Sequence, residues 1–196
     1  KLQEHLREQF QKALAWPLQN VPLKAEQRFL FYCWIETLEH TGIRPWTSKE
    51  RAIKMSDIEK RKSNSGEVQI FVKRNEKGKN YSAPATRYWI HTLNRLDAFY
   101  EARGLKEREW LLCHSRDNVA MGIKRGDPIA SFKTAWNTAI KHLGFNDSEL
   151  PKNKRFTPYT IRHRVITKML LENPELSPIE IAANVGSSLE MVSKIY

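Results

Sequence analysis

The apolar positions of this chain mostly follow a helical spacing. Leu2, Leu6, Phe10 and Leu14 return every four positions, which puts them on one face of a helix. Further helices are predicted between glycine and proline signals, which commonly begin or end helices; they span residues 24–39, 89–102, 131–143, 160–171, 178–185 and 188–196. Ser177 and Pro178 are a typical N-cap and first helical residue for the fifth of these.

One short region departs from the helical pattern. Residues 68–72 are β-branched and aromatic, which is typical of a strand, and residues 75–80 are rich in turn formers. Together with residues 81–83 they predict a β-hairpin. The sequence therefore predicts a mainly α fold with a small antiparallel β-sheet, an α+β domain.

Length and charge narrow the class of protein. With 196 residues the chain can form one domain with a sizeable core; we expect residues 1–23 to be a linker or N-terminal helix and residues 24–196 to form the domain. Thirty-three Lys and Arg against 22 Asp and Glu give a net charge of +11, which favours a polyanionic partner such as DNA, RNA or a membrane surface. Of these partners the composition favours nucleic acid. No run of about twenty apolar residues could span a bilayer, and no membrane partner is expected.

The two cysteines lie in apolar stretches and predict buried free thiols. Cys33 and Cys113 stand among aromatic and aliphatic residues, and free thiols are typical of a reducing compartment. The six histidines show no metal-ligand spacing. We therefore expect a cytoplasmic protein without a structural metal or a cofactor.

Four clusters of chemically capable residues are spread along the chain. The first is Thr41-Gly42-Ile43-Arg44-Pro45, and the second is the hairpin turn with its lysines. The third is Tyr159-Thr160-Ile161-Arg162-His163, and the fourth is Gly186-Ser187 with Tyr196 nine residues beyond Ser187.

In order and spacing these clusters resemble the tyrosine recombinase (phage integrase) family. That family has Thr-Gly-Leu-Arg at a helix end, a hairpin lysine, His-x-x-Arg-His, then Gly-His or Gly-Trp, and a nucleophilic tyrosine. The resemblance covers residues 24–196 and implies a catalytic domain truncated at or just after its nucleophile. It also implies a site-specific recombinase that breaks and rejoins double-stranded DNA through a 3′-phosphotyrosine, without metal or ATP, as a homo-tetramer on paired DNA sites.

The chemistry of strand cleavage calls for the same residue types. Two planar guanidinium groups, here Arg44 and Arg162, can neutralise the oxygens of the attacked phosphate. Tyr196 would be the nucleophile, and neighbouring arginines would favour its phenolate.

The proton donor to the leaving 5′-oxygen is implied to be a hairpin lysine. Counting back from Pro84 puts it at Glu76, and a shift of one residue selects Lys77, with Lys73 and Lys79 as alternatives. Besides these, we expect DNA contacts from Lys73, Lys79, Lys154, Arg155 and His163, although His163 could instead serve a structural role.

At two positions the chain departs from the family pattern. Tyr159 replaces the first histidine, and Ser187 replaces the later histidine or tryptophan. Each hydroxyl can hydrogen-bond to a phosphate oxygen, but neither can exchange protons near neutral pH as imidazole does. We therefore predict a divergent but active enzyme.

Two other interpretations stay open. Residues 177–196 also resemble a helix-turn-helix, which would suit a DNA-binding regulator without catalysis. A type IB topoisomerase would use the same phosphotyrosine chemistry without site specificity.

Overall fold

A long central helix, a three-stranded sheet and a set of shorter helices make up the fold. The computed structural model describes residues 22–62, 66–76, 78–145 and 155–195, so the helix predicted at residues 2–14 lies outside the described residues. In chain order the elements are α1 (Ala25–Thr41), β1 (Ile58–Lys62), β2 (Val68–Glu76), β3 (Lys79–Ala85), α2 (Trp89–Glu101), α3 (Lys133–His142), α4 (Pro158–Glu172), α5 (Pro178–Val185) and α6 (Leu189–Ile195). Short 3-10 turns occupy Lys49–Arg51, Met55–Asp57 and Val119–Met121.

Helix α1 runs through the centre of the main core. Its Trp34 is 1% exposed and packs against Trp46, Phe132 and Trp136, with ring centroids 5.1 to 6.4 Å apart. The helix ends at Gly42, whose φ of 63° is left-handed and whose N–H donates to the Leu38 carbonyl. This ending leads the chain directly into Arg44, so the position of the arginine is tied to the central helix.

Both cysteines are free and buried, as the sequence predicts. Cys33 lies on α1, and Cys113 lies in the segment that follows α2. Burial raises the pKa of the Cys33 thiol to about 12, so this side chain packs as a small apolar group rather than as a reactive thiolate.

The predicted hairpin is confirmed, and it belongs to a sheet of order β1-β2-β3 with antiparallel neighbours. Strand β2 runs on to Glu76, so Asn75 and Glu76, which were predicted to lie in the turn, belong to the ladder instead. Strand β1 was not predicted. Its sequence, Ile-Glu-Lys-Arg-Lys, lacks an apolar alternation, and it forms because β2 offers a partner from Ile58↔Val72 to Lys62↔Val68.

Alternation along β2 gives the sheet two different faces. Ile70, Val72, Arg74 and Glu76 share the buried inner face, whereas Lys73 is exposed on the outer face. Strand β3 pairs Tyr81 with Arg74 and Lys79 with Glu76, so these two residues stand on the inner face as well. The inner face near the hairpin turn is therefore where polar side chains collect.

Local capping signals begin the helices α4 and α5. Pro158 opens α4, and the N–H of Thr157 donates to the hydroxyl of Thr160 at 3.1 Å. At α5 the N-cap is Ser177, as predicted, and its hydroxyl accepts the N–H of Glu180 at 3.3 Å. A second small core then holds α4, α5 and α6 together through Ile166, Ile181, Ala182, Val185 and Val192.

Candidate active site

A cleft of about 290 Å³ lies where the hairpin, α4 and the turn between α5 and α6 meet. Six side chains singled out from the sequence line it, and they come from four separate parts of the chain: Arg44, Lys79, Tyr159, Arg162, His163 and Ser187. The fold thus brings together most of the predicted site residues that the structure describes.

The Arg44 guanidinium is held by three different elements. Its Nη1 donates to Glu76 Oε2 at 2.8 Å, its Nη2 to the Gly186 carbonyl at 2.9 Å, and its Nε to the Tyr159 hydroxyl at 3.0 Å. Although partial burial lowers the pKa of Arg44, the contacts with Glu76 and Tyr159 raise it overall. Arg44 is therefore a fixed cation at the wall of the cleft, with N–H groups to spare for a ligand.

Arg162 is more deeply buried, with 3% of its surface exposed. Its Nη1 donates to the Gly42 carbonyl at 2.7 Å. Gly42 caps the C-terminal end of α1, where main-chain carbonyls carry partial negative charge, and this offsets the unfavourable position of a cation near the start of α4. Burial and the neighbouring Arg44 lower the pKa of Arg162, but an arginine remains protonated in proteins.

Glu76 is a site residue that the sequence analysis missed. Its Oε1 accepts from Arg74 Nε at 3.1 Å and its Oε2 from Arg44, while the residue as a whole is only 9% exposed. Arg74, 8% exposed, also donates to the Arg51 carbonyl at 2.8 Å. A signal was present in the sequence, because Arg74 and Glu76 continue the period-two pattern of Ile70 and Val72.

The structure separates the lysines of the hairpin. Lys79 lines the cleft, whereas Lys73 is on the outer face with its Nζ 3.4 Å from a carboxylate oxygen of Glu59. The position reached by counting back from Pro84, Glu76, holds a buried carboxylate that cannot act as a lysine would. Lys77 lies outside the described residues and stays a candidate.

Tyr159 and His163 are one helical turn apart on α4, with ring centroids separated by 5.8 Å. Tyr159 is 41% exposed, so its ring stands at the mouth of the cleft. Because its oxygen accepts from Arg44, its own hydroxyl hydrogen can point elsewhere. These two side chains can therefore present polar groups to a ligand in the cleft.

The turn between α5 and α6 forms another wall of the cleft. Gly186 has a left-handed φ of 63°, and the Tyr81 ring is packed so closely that a Cβ at Gly186 would lie 2.3 Å from its Cε1. Burial, followed by the charge of Glu76, raises the pKa of Tyr81 to about 12. Glycine is needed here both for its backbone conformation and for the approach of Tyr81.

The other predicted site residues are placed as follows. Arg155 is half-buried before α4 and does not line the cleft. Lys154 and Tyr196 lie outside the described residues; helix α6 contributes Met191 to the cleft and runs to Ile195, the residue before Tyr196.

Neither a metal-binding cluster nor a membrane-spanning helix is found in the described parts of the chain. No three His, Cys, Asp or Glu side chains there could hold a metal ion. No helix there is both long and apolar enough to cross a membrane.

With its helix-rich architecture and small three-stranded antiparallel sheet, the chain has the catalytic-domain fold of the XerH recombinase. It is similar to the XerH site-specific recombinase bound to its difH substrate in a pre-cleavage complex, with a TM-score of 0.64 and 14% identity over 96% of this chain and 48% of XerH. The chain is also similar to XerH bound to a palindromic difH substrate in a post-cleavage complex. The TM-score is again 0.64, with 16% identity over 96% of this chain and 47% of XerH. The similarity to the XerA recombinase has a TM-score of 0.50 and 16% identity over 88% of this chain and 58% of XerA.

The chain thus spans about half the length of the XerH and XerA structures. No protein-family model matches the chain, and no curated protein sequence does. At 14–16% identity the likeness is one of fold.

Proposed function

We propose that this chain is the catalytic domain of a site-specific DNA recombinase that breaks and rejoins DNA through a 3′-phosphotyrosine. The observation that carries the proposal is the pairing of Arg44 and Arg162 at one cleft of a recombinase fold. Both are anchored by main-chain carbonyls, and two fixed guanidinium groups match the charge and shape of a phosphodiester.

Tyr196 is the proposed nucleophile. Its phenolate oxygen would form a bond to phosphorus as the bond from phosphorus to the 5′-oxygen breaks, which leaves a phosphotyrosine and a 5′-hydroxyl. Arg44 and Arg162 would stabilise the charge on the phosphate oxygens in the transition state, a contribution worth about 10³ to 10⁵ in rate in other phosphoryl transfers. The product is again a phosphate ester, so rejoining needs neither ATP nor a cofactor.

A lysine of the hairpin would give the proton to the leaving 5′-oxygen. Lys79 is supported by its place in the cleft, and Lys77 is the other candidate. Tyr159 and Ser187 would each donate a hydrogen bond to a phosphate oxygen, and His163 would assist them from the next turn of α4.

The same proposal extends to the DNA and to the assembly. Lys73, Lys154 and Arg155 would contact phosphates away from the cleft, in keeping with the net charge of +11. We propose that the full protein acts in the cytoplasm as a homo-tetramer on paired DNA sites, as the integrase of a mobile element.

A helix-turn-helix regulator remains the rival function, since α5 and α6 are joined by a short turn. One contact favours the recombinase over this rival. The Gly186 carbonyl in that turn accepts from Arg44, which ties the turn to the cleft. A helix-turn-helix regulator would give Arg44 no role.

Covalent capture tests the proposal. The protein is incubated with nicked suicide duplexes tiled across the ends of its source element, and denaturing gels are searched for a protein–DNA band. We expect a band that disappears in Tyr196→Phe. Tight binding to one duplex without any band would favour the regulator, and relaxation of a supercoiled plasmid that lacks the target would favour a topoisomerase.

A further inference from the structure

We infer that Glu76 is a positioning residue, which holds the Arg44 guanidinium in the orientation needed for the cleavage step. The inference rests on the proposed function. It concerns a carboxylate on strand β2, at the end of the hairpin, in a cleft that otherwise presents cationic and neutral groups.

The carboxylate of Glu76 accepts hydrogen bonds from two arginines, and Arg74 is more deeply buried than Arg44. Oε2 accepts from Arg44 at 2.8 Å and Oε1 from Arg74 at 3.1 Å, so both oxygens are committed to guanidinium groups. Arg74 is in turn tied to the Arg51 carbonyl at 2.8 Å. Arg44 is thereby linked through Glu76 to a buried arginine that cannot swing toward solvent.

Electrostatics argues against a direct role for Glu76 in binding DNA. A carboxylate beside a phosphodiester is repulsive, and it cancels one of the positive charges that attract the ligand. A buried ion pair is also weak evidence of a gain in stability, because desolvation offsets much of the attraction. What the residue does supply is a fixed direction for Arg44, since three acceptors on three elements, Glu76, Gly186 and Tyr159, leave the planar fork little freedom.

This role predicts opposite effects on binding and on chemistry. Without the charge of Glu76, DNA should bind as tightly as before or more tightly, because a repulsive group has gone. The cleavage step should be slower, because Arg44 then has to be ordered during the reaction, and a misplacement of about 1 Å can cost roughly 10²-fold in rate.

Two variants separate positioning from folding. Glu76→Gln keeps the size of the side chain and removes its charge. The double variant Arg74→Met with Glu76→Met removes both members of the buried pair at constant net charge, a change that proteins often tolerate. Glu26→Gln is the matched control, because the Glu26 carboxylate is likewise paired with an arginine, Arg116, but does not line the cleft.

The experiment measures single-turnover formation of the covalent band at saturating nicked duplex, together with the Kd of the uncleaved duplex. We expect the rate to fall roughly 10- to 100-fold in both variants, with Kd unchanged or lower and with wild-type behaviour in the control. The ¹⁵Nε–H signal of Arg44, identified by its loss in Arg44→Lys, should be sharp in the wild type and broadened in both variants.

The outcomes keep the two proposals apart. Wild-type cleavage rates in both variants, or an unchanged Arg44 signal, would overturn the positioning role while the recombinase proposal stands. A wild-type chain that forms no covalent band would instead refute the recombinase proposal. The Arg44 signal would then decide by itself whether Glu76 orders the guanidinium.

Discussion

Main-chain carbonyls help to hold both arginines of the cleft. Arg162 donates to the Gly42 carbonyl and Arg44 to the Gly186 carbonyl, and both glycines have a left-handed φ. Each carbonyl belongs to the glycine that caps a helix at its C-terminal end, where acceptors are left without a partner in the helix. The arginines therefore use acceptors that the helix endings provide.

Arg162→Ala should abolish covalent cleavage while weakening DNA binding only modestly. The variant removes a transition-state contact worth about 10³ or more in rate but only one of many cationic side chains. Gel capture and duplex Kd measure the two effects, and a thermal melt checks the fold because the Gly42 carbonyl loses its donor. Arg116→Ala, which removes an exposed arginine outside the cleft, should cleave normally; full cleavage by Arg162→Ala would refute the assigned role.

Gly186→Ala should destabilise the protein more than Gly122→Ala does. Both glycines have φ near 62°, which costs alanine about 1 kcal/mol, but only at Gly186 would the new Cβ meet a ring, that of Tyr81. Relieving that overlap should cost about 1–3 kcal/mol more, a further loss of several degrees in Tm. Thermal melts of the two variants give the comparison, and equal losses would show that Tyr81 moves aside freely.

At the level of elements, the sequence is informative where apolar periodicity is strong and uninformative where polar residues are buried. The helices and the hairpin were predicted because their apolar spacing and capping residues are local signals. Strand β1 was missed because its stability comes from pairing with β2. The end of β2 was missed because Arg74 and Glu76 are charged, and their burial becomes plausible only once each is seen to satisfy the other's charge.

The two faces of the hairpin predict different roles for its lysines. Lys79→Ala should slow cleavage at saturating DNA, because Lys79 stands on the cleft side, whereas Lys73→Ala should leave that rate unchanged. If Lys79 is the proton donor, a duplex with sulfur in place of the leaving 5′-oxygen should restore the rate, since a thiolate leaves without a proton. If the sulfur-containing duplex rescues Lys77→Ala instead, Lys77 is the proton donor. Normal cleavage of the unmodified duplex by Lys79→Ala and by Lys77→Ala would exclude both lysines.

On the scale of the whole molecule, the cleft is assembled from segments distant in sequence. Arg44 follows α1, Arg162 lies on α4 and Lys79 on β3, and their order along the chain was enough to suggest one site. The contacts that hold them could not be predicted, because a carbonyl acceptor such as that of Gly186 has no side-chain signature. Glu76 shows the same limit, because the period-two pattern can put it on the inner face but cannot show that its carboxylate accepts from Arg44.

Binding to duplex DNA should weaken steeply as salt increases. The net charge of +11 and the cationic cleft make counterion release the main source of affinity, and six to ten phosphate contacts would cost roughly 10³ to 10⁵ in affinity between about 50 and 200 mM salt. Lys79→Ala should reduce the slope of log K against log salt by about 1, whereas Lys106→Ala should not change it, because Lys106 pairs with Glu101 and does not line the cleft. Titrations by fluorescence anisotropy at four salt concentrations would measure these slopes. A complex whose affinity is insensitive to salt would contradict phosphate recognition and, with it, the role given to the basic residues.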